Sequence, residues 1–350
     1  MKSIKIGKYN IENKKPPFII AEAGINHNGD IEKAFSMIRR AKASGADAIK
    51  FQTFKAEEFI SDTNQTYTYI SQGKKITESM MKMFKRYEFA PEIWKKIKKR
   101  CDKEKILFLS TPQNRSDLDL LLELGIPAIK VGSDDFTNLP LLKNYAETKL
   151  PIILSCGMSN LAEVYYALDS IGALDEYPAI LLLCTSQYPT PPEDVNLKKI
   201  KTLMSSFPML PIGFSDHTEG SLASCLAVSF GACVFEKHFT LDHNLHGPDH
   251  WFSADSEELK TWVKSIRTSY KMMGNQIVRA TDKEEKIKLI ARRSITAMAG
   301  IEQGEVLNLK NIGLQRTGNG LSPMFLDYIV GRYAVKKMKK GYRLRLEDFK

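Results

Sequence analysis

Eight short apolar runs, spaced like the strands of a parallel sheet, constrain this chain of 350 residues more than any other feature. The runs lie at residues 18–21, 48–51, 106–109, 128–131, 152–154, 179–184, 211–214 and 233–235. They are rich in Ile, Leu, Val and Phe and lack period-2 alternation, which is typical of strands buried on both faces. Their midpoints are mostly about 22 to 31 residues apart, the length of one strand–helix unit.

Amphipathic segments fill the intervals between the runs. Within residues 31–43 the apolar residues Ala34, Met37, Ile38 and Ala41 recur at helical spacing, and Asp30 is a suitable N-cap. Comparable helical patterns cover residues 116–124, 161–171, 197–207, 221–230 and 257–272. One interval of about 59 residues is longer because it holds an insertion at 55–89, whose polar part, 64–75, we predict to be a loop.

These patterns predict an α/β fold with eight strand–helix units in about 270 residues, which favours a (β/α)8 TIM barrel. An open doubly wound sheet is the alternative, but that fold usually carries a Gly-rich turn after its first strand, and residues 23–26 do not form one. We assign residues 1–273 to the barrel and 274–290 to a polar linker. Residues 291–350, with short segments and frequent glycines, should form a small β-rich domain.

Composition excludes several classes of protein. No apolar run approaches the roughly 18 residues of a membrane span, and the first ten residues lack the apolar core of a signal peptide. Five cysteines without a Cys-x-x-Cys pair indicate reduced thiols in a cytoplasmic protein. The net charge of +10 is spread along the chain without interleaved aromatic residues, which argues against nucleic-acid binding and leaves a small anionic substrate open.

Polar residues follow almost every predicted strand. In a TIM barrel such residues meet at one face, where active sites are built. The set comprises Glu22, Lys50, Gln52, Thr111, Lys130, Ser155, Thr185, Ser186, Tyr188, Ser215, His217, Glu236 and His238. A single member could be a buried polar group of the core, but so many converging on one face predict an active site.

His217 and His238 end neighbouring predicted strands. Two neutral imidazoles at a barrel mouth can bind a divalent metal and leave positions open for water and substrate. This favours Mn²⁺ or Mg²⁺ acting as a Lewis acid over a closed structural zinc site. The alternative is one histidine acting as a general acid or base beside an unrelated second histidine.

Two lysines, Lys50 and Lys130, also end strands. Two ammonium groups in one pocket suit a substrate with both a phosphate and a carboxylate, and the alternative is a Schiff-base lysine. Glu22 and Glu236 are candidates to orient water or to move a proton. Residues 242–250, with three histidines and Asp249, suggest a loop that closes over the site, although a flexible polar loop is the plainer interpretation.

Several motifs resemble the sialic acid (N-acetylneuraminate) synthase family. They are IAEAGINHNG at 20–29, KFQ at 50–52, STP at 110–112, YPTP at 188–191, GFSDH at 213–217, EKHFT at 236–240 and RTGNG at 316–320. The resemblance runs from about residue 18 to the C-terminus and includes the small domain, which is similar to type III antifreeze proteins and is known as the SAF (antifreeze-like) domain. Each motif alone is weak, but their order and spacing together are specific.

The resemblance implies a phosphoenolpyruvate-dependent transferase. Phosphoenolpyruvate would condense with the open-chain aldehyde of an N-acetylated amino sugar and with water, giving a nonulosonic acid and phosphate by C–O cleavage. The sugar would be N-acetylmannosamine or a diacetamido-trideoxyhexose, so that the product would be sialic, legionaminic or pseudaminic acid. A variant role in spore-coat or other polysaccharide synthesis also stays open.

The resemblance also implies roles for individual residues. Lys50 and Lys130 would hold the phosphate and carboxylate with donors from Ser155, Ser186 and Ser215, while a metal on His217 and His238 polarises the aldehyde. Glu22 would act on the attacking water, and Glu236 would position metal-bound water or substrate. The remaining substrate-binding residues would be Gln52, Thr111, Asp135, Tyr188, Asp249 and Arg316.

Two departures from the sialic acid branch bear on the sugar. The chain has Asp135 where that branch has a glutamate that contacts the acetamido side of the sugar, and Ser186 where it has asparagine. The family also implies a domain-swapped homodimer, in which Arg316 of one subunit reaches the sugar in the barrel of its partner. A Schiff-base (class I) aldolase and a sugar-binding protein with vestigial catalytic groups are the competing hypotheses.

Overall fold

The computed structural model describes residues 3–13 and 15–350. The chain divides into two compact units, Met1–Gly274 and Asn275–Lys350. The strands are β1 Ile4–Ile6, β2 Tyr9–Ile11, β3 Phe18–Gly24, β4 Ala48–Thr53, β5 Thr66–Ser71, β6 Lys74–Ser79, β7 Leu107–Pro112, β8 Ile129–Val131, β9 Ile152–Ser155, β10 Ala179–Cys184, β11 Ile212–Asp216, β12 Val234–His238, β13 Arg293–Ala297 and β14 Ile312–Arg316. The helices are α1 Ile31–Ala43, α2 Ala56–Phe59, α3 Met80–Tyr87, α4 Pro91–Glu104, α5 Arg115–Glu123, α6 Leu139–Ala146, α7 Leu161–Ser170, α8 Pro192–Val195, α9 Lys199–Ser206, α10 Leu222–Phe230, α11 Ser256–Met273, α12 Asp282–Ala291 and α13 Leu326–Ile329.

The first unit is the predicted barrel. All eight apolar runs form parallel strands of one sheet in the order β7-β4-β3-β12-β11-β10-β9-β8. The end strands β7 and β8 contact each other, so the sheet curls into a (β/α)8 barrel. Strand β12 pairs with β3, which brings the last strand of the barrel beside the first.

Two buried layers hold the barrel together. One apolar cluster lies between the strands and the surrounding helices, and Trp94 and Trp262 are its largest members. The other fills the N-terminal end of the barrel, where Ile4, Ile6 and Ile11 of the β1–β2 hairpin pack against inward-facing strand residues. Because that end is plugged, the C-terminal ends of the strands form the open face.

Helix α1 illustrates how local sequence sets these elements. The Asp30 carboxylate accepts the backbone N–H groups of Glu32 and Lys33 and so caps the helix as expected. Its four predicted apolar residues are all buried. The other predicted helices form within one or two residues of their expected bounds.

The prediction of a loop at residues 64–75 was wrong. Strands β5 and β6 pair there as an antiparallel hairpin, with the turn at Gln72 and Gly73, both at positive φ. The signal was alternation in Thr66–Ser71, where Tyr69 and Ser71 are buried and their neighbours are exposed. Tyr69 packs into an apolar cluster with Met83 and Tyr87, so tertiary burial stabilises a segment of largely polar composition.

The second unit has its own apolar core, which includes Ile295, Ile312 and Leu344. Strands β13 and β14 pair antiparallel, and isolated β-bridges join much of the remainder. Part of the predicted linker is helical, since α12 covers Asp282–Ala291. Among the described residues, no helix is long and apolar enough to cross a membrane. The five cysteines form no disulfide, and four of them are buried.

Candidate active site

Strand register places the polar strand-end residues side by side. Glu22 on β3 lies opposite Lys50 on β4 and opposite His238 on β12. Ser215 on β11 lies opposite Glu236 on β12. Because side chains alternate along each strand, these residues point to the same interior face at the open end of the barrel.

Four charged residues, which we call the charged floor, meet beneath this face. They are Glu22, Lys50, Lys130 and Glu236, and each is at most 5% exposed. The Lys50 Nζ lies 2.8 Å from Glu22 Oε2 and 3.9 Å from Glu236 Oε2, while the Lys130 Nζ lies 3.6 Å from Glu236 Oε1. Two lysines thus face two glutamates, so the formal charges of the fully ionised floor cancel.

The two glutamates of the floor differ in proton affinity. Burial raises the pKa of Glu22 in spite of the opposing charge of Lys50. Burial also opposes ionisation of Glu236, but the positive charges of Lys130 and Lys50 outweigh it and lower the pKa of that carboxyl. Paired carboxyls whose pKa values are pushed apart suit different tasks. Glu22 is therefore the better candidate to exchange a proton, and Glu236 to remain a carboxylate.

Hydroxyl groups complete the surroundings of the lysines. The Lys130 Nζ donates to Ser155 Oγ at 2.9 Å, and the Lys50 Nζ donates to Thr111 Oγ1 at 3.2 Å. The Ser215 Oγ donates to Glu236 Oε1 at 3.3 Å. The buried Ser186 Oγ has no hydrogen-bond partner among the described residues, which leaves it free to donate to a ligand.

The two strand-end histidines lie together, with their ring centroids 5.4 Å apart. The Nδ1–H of His217 donates to the Thr185 carbonyl at 2.7 Å, so the Nε2 lone pair of the neutral ring is free. Cys184 and the Thr185 carbonyl raise the pKa of this ring against the effect of its burial. Burial lowers the pKa of His238 well below its usual value, so this ring is neutral. Its buried Nδ1 has no hydrogen-bond partner among the described residues and lies 3.9 Å from Asp249 Oδ2.

This pair fits a divalent metal. Neutral imidazole nitrogens are good ligands for such ions, and a buried nitrogen without a partner is otherwise costly. Asp249 is the nearby carboxylate that could join the two rings. A three-residue cluster of possible ligands does occur among the described residues at His243, Asp255 and Glu258, but it is half-buried or exposed. There Asp255 caps α11, and Glu258 pairs with His243.

Residues that point away from the cavity hold β11 and β12, the strands that lead to His217 and His238, in place. Between Ser215 and His217, the buried Asp216 accepts hydrogen bonds from Ser224 Oγ at 2.5 Å and Trp262 Nε1 at 3.0 Å. The Lys237 Nζ, on the next strand, lies 3.4 Å from the same Asp216 carboxylate. This buried ion pair joins β11 to β12 directly beside the residues that face the cavity.

A cavity of about 670 Å³ opens above the charged floor. Every predicted barrel site residue except Thr185 and Asp135 lines it. The lining set from the prediction is Glu22, Lys50, Gln52, Thr111, Lys130, Ser155, Ser186, Tyr188, Ser215, His217, Glu236, His238 and Asp249. The structure thus collects residues from all eight strand exits and one long loop into a single site.

Asp135 does not belong to this lining. Its carboxylate accepts a hydrogen bond from Asn138 Nδ2 at 3.1 Å, in the turn that leads into α6. Its neighbours Ser133 and Asp134 line the cavity instead. Because β8 ends at Val131, the chain after it no longer alternates like a strand, and the motif alone did not identify which aspartate faces inward.

The predicted lid loop stands at the cavity, with Pro248 and Asp249 among the lining residues. Asn28 anchors it, because its Nδ2 donates to the His246 carbonyl at 2.8 Å and its Oδ1 lies 2.9 Å from His250 Nε2. The Gly247 N–H also donates to Ser71 Oγ of the hairpin, at 3.1 Å. Asn28, from the motif at 20–29, and His250 thus hold the loop at 242–250 in place. The sequence analysis did not predict this role for either residue.

Apolar residues of the insertion were missed altogether. Phe59, Tyr67, Met80, Met83 and Phe84 of the insertion line the cavity, together with Ile25 from the motif at 20–29. The insertion lies outside the strand–helix repeat, so strand-end reasoning does not reach it. Arg316 ends β14 in the second unit, where it is exposed and lies opposite Arg293 in the strand pair.

Comparison with known proteins agrees with this geometry. The sequence matches the NeuB family over residues 37–278 and the SAF domain over 292–350. It is 40% identical to the N,N'-diacetyllegionaminic acid synthase of Legionella pneumophila over 335 residues, covering 94% of each chain. It is 33% identical to human N-acetylneuraminate-9-phosphate synthase, covering 85% of this chain and 83% of the human protein.

A solved structure supports the same relationship. The N-acetylneuraminic acid synthetase of Leptospira borgpetersenii, crystallised with citrate, is 35% identical and superimposes with a TM-score of 0.73. The superposition covers 82% of this chain and 95% of that one. The chain therefore belongs to the NeuB family, with a SAF domain at its C-terminal end.

Proposed function

We propose that this protein is a nonulosonic acid synthase that condenses phosphoenolpyruvate with the aldehyde of an N-acetylated amino sugar. The observation that carries the proposal is the cavity itself, in which two buried lysines, two glutamates and a histidine pair face one space. Relatives named as synthases of legionaminic, pseudaminic and sialic acids support it.

Phosphoenolpyruvate fits the floor of the cavity. Lys50 and Lys130 offer ammonium groups to its phosphate and carboxylate, and Ser155, Ser186 and Ser215 offer hydroxyl donors. Burial lowers the pKa of Lys130, whereas Glu22 and Glu236 raise that of Lys50 against the effect of its burial. Because both lysines already face carboxylates, a bound trianion needs further positive charge, which supports a metal in the site.

The reaction consumes water and releases phosphate. The vinyl carbon of phosphoenolpyruvate bonds to the sugar C1, whose carbonyl oxygen gains a proton and becomes a hydroxyl. Water adds to C2 of the former phosphoenolpyruvate, and the C–O bond to phosphate then breaks in the tetrahedral intermediate. We assign the proton of the attacking water to Glu22, because burial raises the pKa of this carboxyl and makes it a better proton acceptor than an ordinary carboxylate. Glu236 keeps its negative charge and holds the two lysines in position.

We propose His217 and His238 as the residues that hold a divalent ion, Mn²⁺ or Mg²⁺. When bound, such an ion supplies Lewis-acid polarisation of the aldehyde oxygen. Chelation with EDTA should abolish turnover, and added Mn²⁺ should restore it. Replacement of either histidine by alanine should weaken Mn²⁺ binding measured by calorimetry, whereas His243→Ala should not. Full activity and unchanged metal binding in the variants would contradict this assignment.

Release of phosphate from phosphoenolpyruvate tests the proposed reaction. It should require an acetamido sugar, and phosphoenolpyruvate labelled with ¹⁸O in the bridging position should deliver the label to phosphate, because C–O rather than P–O cleavage occurs. Lys50→Met should lower kcat/KM by on the order of 10² or more, while exposed Lys260→Met serves as the control. Label retained in the organic product, or no phosphate with any sugar, would reject the proposal.

We also propose a homodimer in which Arg316 serves the barrel of the second copy. In the described part of the chain, no carboxylate lies within ion-pair distance of Arg316, and the residue stands exposed before a loop with two glycines. An exposed guanidinium of this kind is available to a substrate bound elsewhere. Exchange of caps gives a closed two-fold dimer with two shared sites.

A further inference from the structure

Positive charge is concentrated in the second unit. Residues 275–350 carry 16 Lys and Arg against eight Asp and Glu, whereas residues 1–274 carry 35 against 33. The second unit thus holds +8 of the net charge of +10 in 76 of the 350 residues. A surplus of this kind attracts anions, provided that some of the cations are not already paired with carboxylates of the protein.

Two arginines of this unit face each other without a counter-ion. In the β13–β14 pair, Arg293 lies directly opposite Arg316, and both residues are exposed. In the part of the chain that the structure describes, neither guanidinium makes a hydrogen bond or an ion pair with the protein. Like charges directly opposite each other in a sheet are destabilising, because their Cβ atoms are only about 5 Å apart. An anion bound between the two guanidiniums would remove this repulsion.

The loop after β14 is fixed and contains a hydroxyl group without a partner. The Gly318 N–H donates to the Arg292 carbonyl at 3.2 Å, and a Cβ at Gly318, where φ is +69°, would overlap the backbone of α12. The Gly320 N–H donates to Ser294 Oγ at 3.1 Å. The buried Oγ1 of Thr317, the residue after β14, has no hydrogen-bond partner among the described residues. An unmet polar group beside two unpaired cations is a second indication that this segment meets a ligand.

Phosphoenolpyruvate is the substrate that needs these cations. The charged floor is formally neutral, because two lysines face two glutamates, whereas fully ionised phosphoenolpyruvate carries three negative charges. A divalent ion at the histidine pair would leave one of these charges unmatched. The acetamido sugar is uncharged and does not require two guanidiniums, whose paired N–H donors match the oxygens of a phosphate or a carboxylate.

We propose that Arg293 joins Arg316 in an anion-binding pair whose ligand is an oxyanion group of the phosphoenolpyruvate bound in the barrel of a second copy. The pair supplies positive charge that the charged floor lacks, and the bound anion screens the repulsion between the two arginines. This inference rests on the proposed synthase function and on the proposed exchange of caps. It adds Arg293, which the sequence analysis did not select, to the substrate-binding residues.

Arg343 provides a matched control. It is exposed and forms a β-bridge with Thr296, three residues along β13 from Arg293. Because side chains alternate along a strand, Thr296 and Arg343 belong to the opposite face of the sheet from Arg293. A Cβ at Gly320 would lie 2.8 Å from the Ser294 Cβ and 3.1 Å from the Arg343 Cβ, which agrees with this placement. Arg343→Met therefore removes one charge from the same unit without removing a member of the pair.

Calorimetric titration of the full chain with phosphoenolpyruvate, in the presence of Mn²⁺, measures the pair without requiring turnover. Arg293→Met and Arg316→Met should each raise the Kd for phosphoenolpyruvate by about 10- to 100-fold, the effect of losing a hydrogen bond to a charged group. Arg343→Met should leave this Kd unchanged. Arg293→Lys keeps the charge but not the paired donors, so its Kd should lie between those of the wild type and Arg293→Met.

Kinetics and unfolding separate a binding role from a structural one. Arg293→Met should raise the KM for phosphoenolpyruvate and leave the KM for the sugar unchanged. Because the arginine pair is repulsive in the absence of an anion, the midpoint of thermal unfolding of ligand-free Arg293→Met should not fall below that of the wild type. A residue that only held the loop in place would lower this midpoint.

The outcomes distinguish this inference from the proposed function. An unchanged Kd for phosphoenolpyruvate in Arg293→Met, or an equal increase in Arg343→Met, would overturn the assignment of Arg293. A raised KM for the sugar alone would assign the pair to the sugar and overturn it equally. If the wild type binds phosphoenolpyruvate but no acetamido sugar yields phosphate, the synthase function fails while the Kd values still test the pair. If the wild type does not bind phosphoenolpyruvate, both proposals fail.

Discussion

His27 should make the stability of the barrel depend on pH. Its ring is fully buried and stacks on Phe89 with centroids 4.3 Å apart, and Trp94 packs edge-on to it. Its Nδ1 accepts the Gly29 N–H at 3.1 Å, so the proton of the neutral ring is on Nε2. A second proton would have to occupy the accepting nitrogen. Burial lowers the pKa of His27 from 6.5 to about 3.

The sign of the effect follows from proton linkage. The unfolded chain binds a proton at His27 near pH 6.5, and the folded chain binds it only near pH 3, so acid favours unfolding. The contribution of the neutral His27 ring to the free energy of unfolding is fully present above pH 6.5 and is lost progressively as the pH falls toward 3. At pH 5, about 1.5 pH units below the unfolded pKa, the loss is about 2 kcal/mol at 1.36 kcal/mol per unit.

Urea unfolding followed by tryptophan fluorescence measures this loss. All three tryptophans, Trp94, Trp251 and Trp262, are in the barrel unit, so the signal reports that unit. Between pH 8 and pH 5 the free energy of unfolding of the wild type should fall by about 2 kcal/mol more than that of His27→Phe. This variant keeps an aromatic ring but cannot titrate. Burial also lowers the pKa of His250, to about 4, but His250 is present in both proteins and cancels.

The control is His246→Gln, because the His246 ring is exposed. This variant should retain the pH dependence of the wild type. His27→Phe will also lose the hydrogen bond to Gly29, so its stability at pH 8 should be lower. The test is therefore the change in the free energy of unfolding between the two pH values, not the stability at either one. Equal changes in wild type and His27→Phe would refute the argument that His27 is held neutral.

Three further predictions concern catalysis. Lys130→Met should lower kcat/KM by on the order of 10² or more, and borohydride with substrate should leave the wild-type protein unmodified; a stable lysine adduct would favour the aldolase instead. Arg316→Ala and Glu22→Ala should each be inactive, but co-expression should restore about a quarter of the sites if Arg316 acts in trans; no recovery in a confirmed mixed dimer would exclude that arrangement. Asp134→Ala should raise the KM for the sugar while Asp135→Ala should not, and the reverse result would return the contact to Asp135.

Local sequence determined the barrel and most of its site. Strand and helix periods are encoded within a few residues, so the eight runs and helix α1 were found where they were expected. The same alternation predicts that Lys50 and Gln52 share one face of their strand, and that Ser215 and His217 share one face of theirs. Because parallel strands end at one edge, the strand-end residues had to converge, and the cavity lining bears this out.

Tertiary structure alone decided the features that depend on distant partners. Residues 66–79 form a hairpin in which Tyr69 packs against Met83 and Tyr87, and the alternation within the strand does not specify these distant partners. Asp134 rather than Asp135 faces the cavity because Asn138 binds the Asp135 carboxylate beyond the end of β8.

The charged floor and the apolar part of the cavity lining differ in the same way. The charged floor follows from the periodic strands, whose ends are fixed by the backbone ladder. The lining residues Phe59, Met80, Met83 and Phe84 come from an insertion outside that repeat, where the Phe59 and Phe84 rings pack on each other. Periodicity therefore located the charged residues of the site, whereas long-range packing of side chains determined the apolar part of the cavity lining.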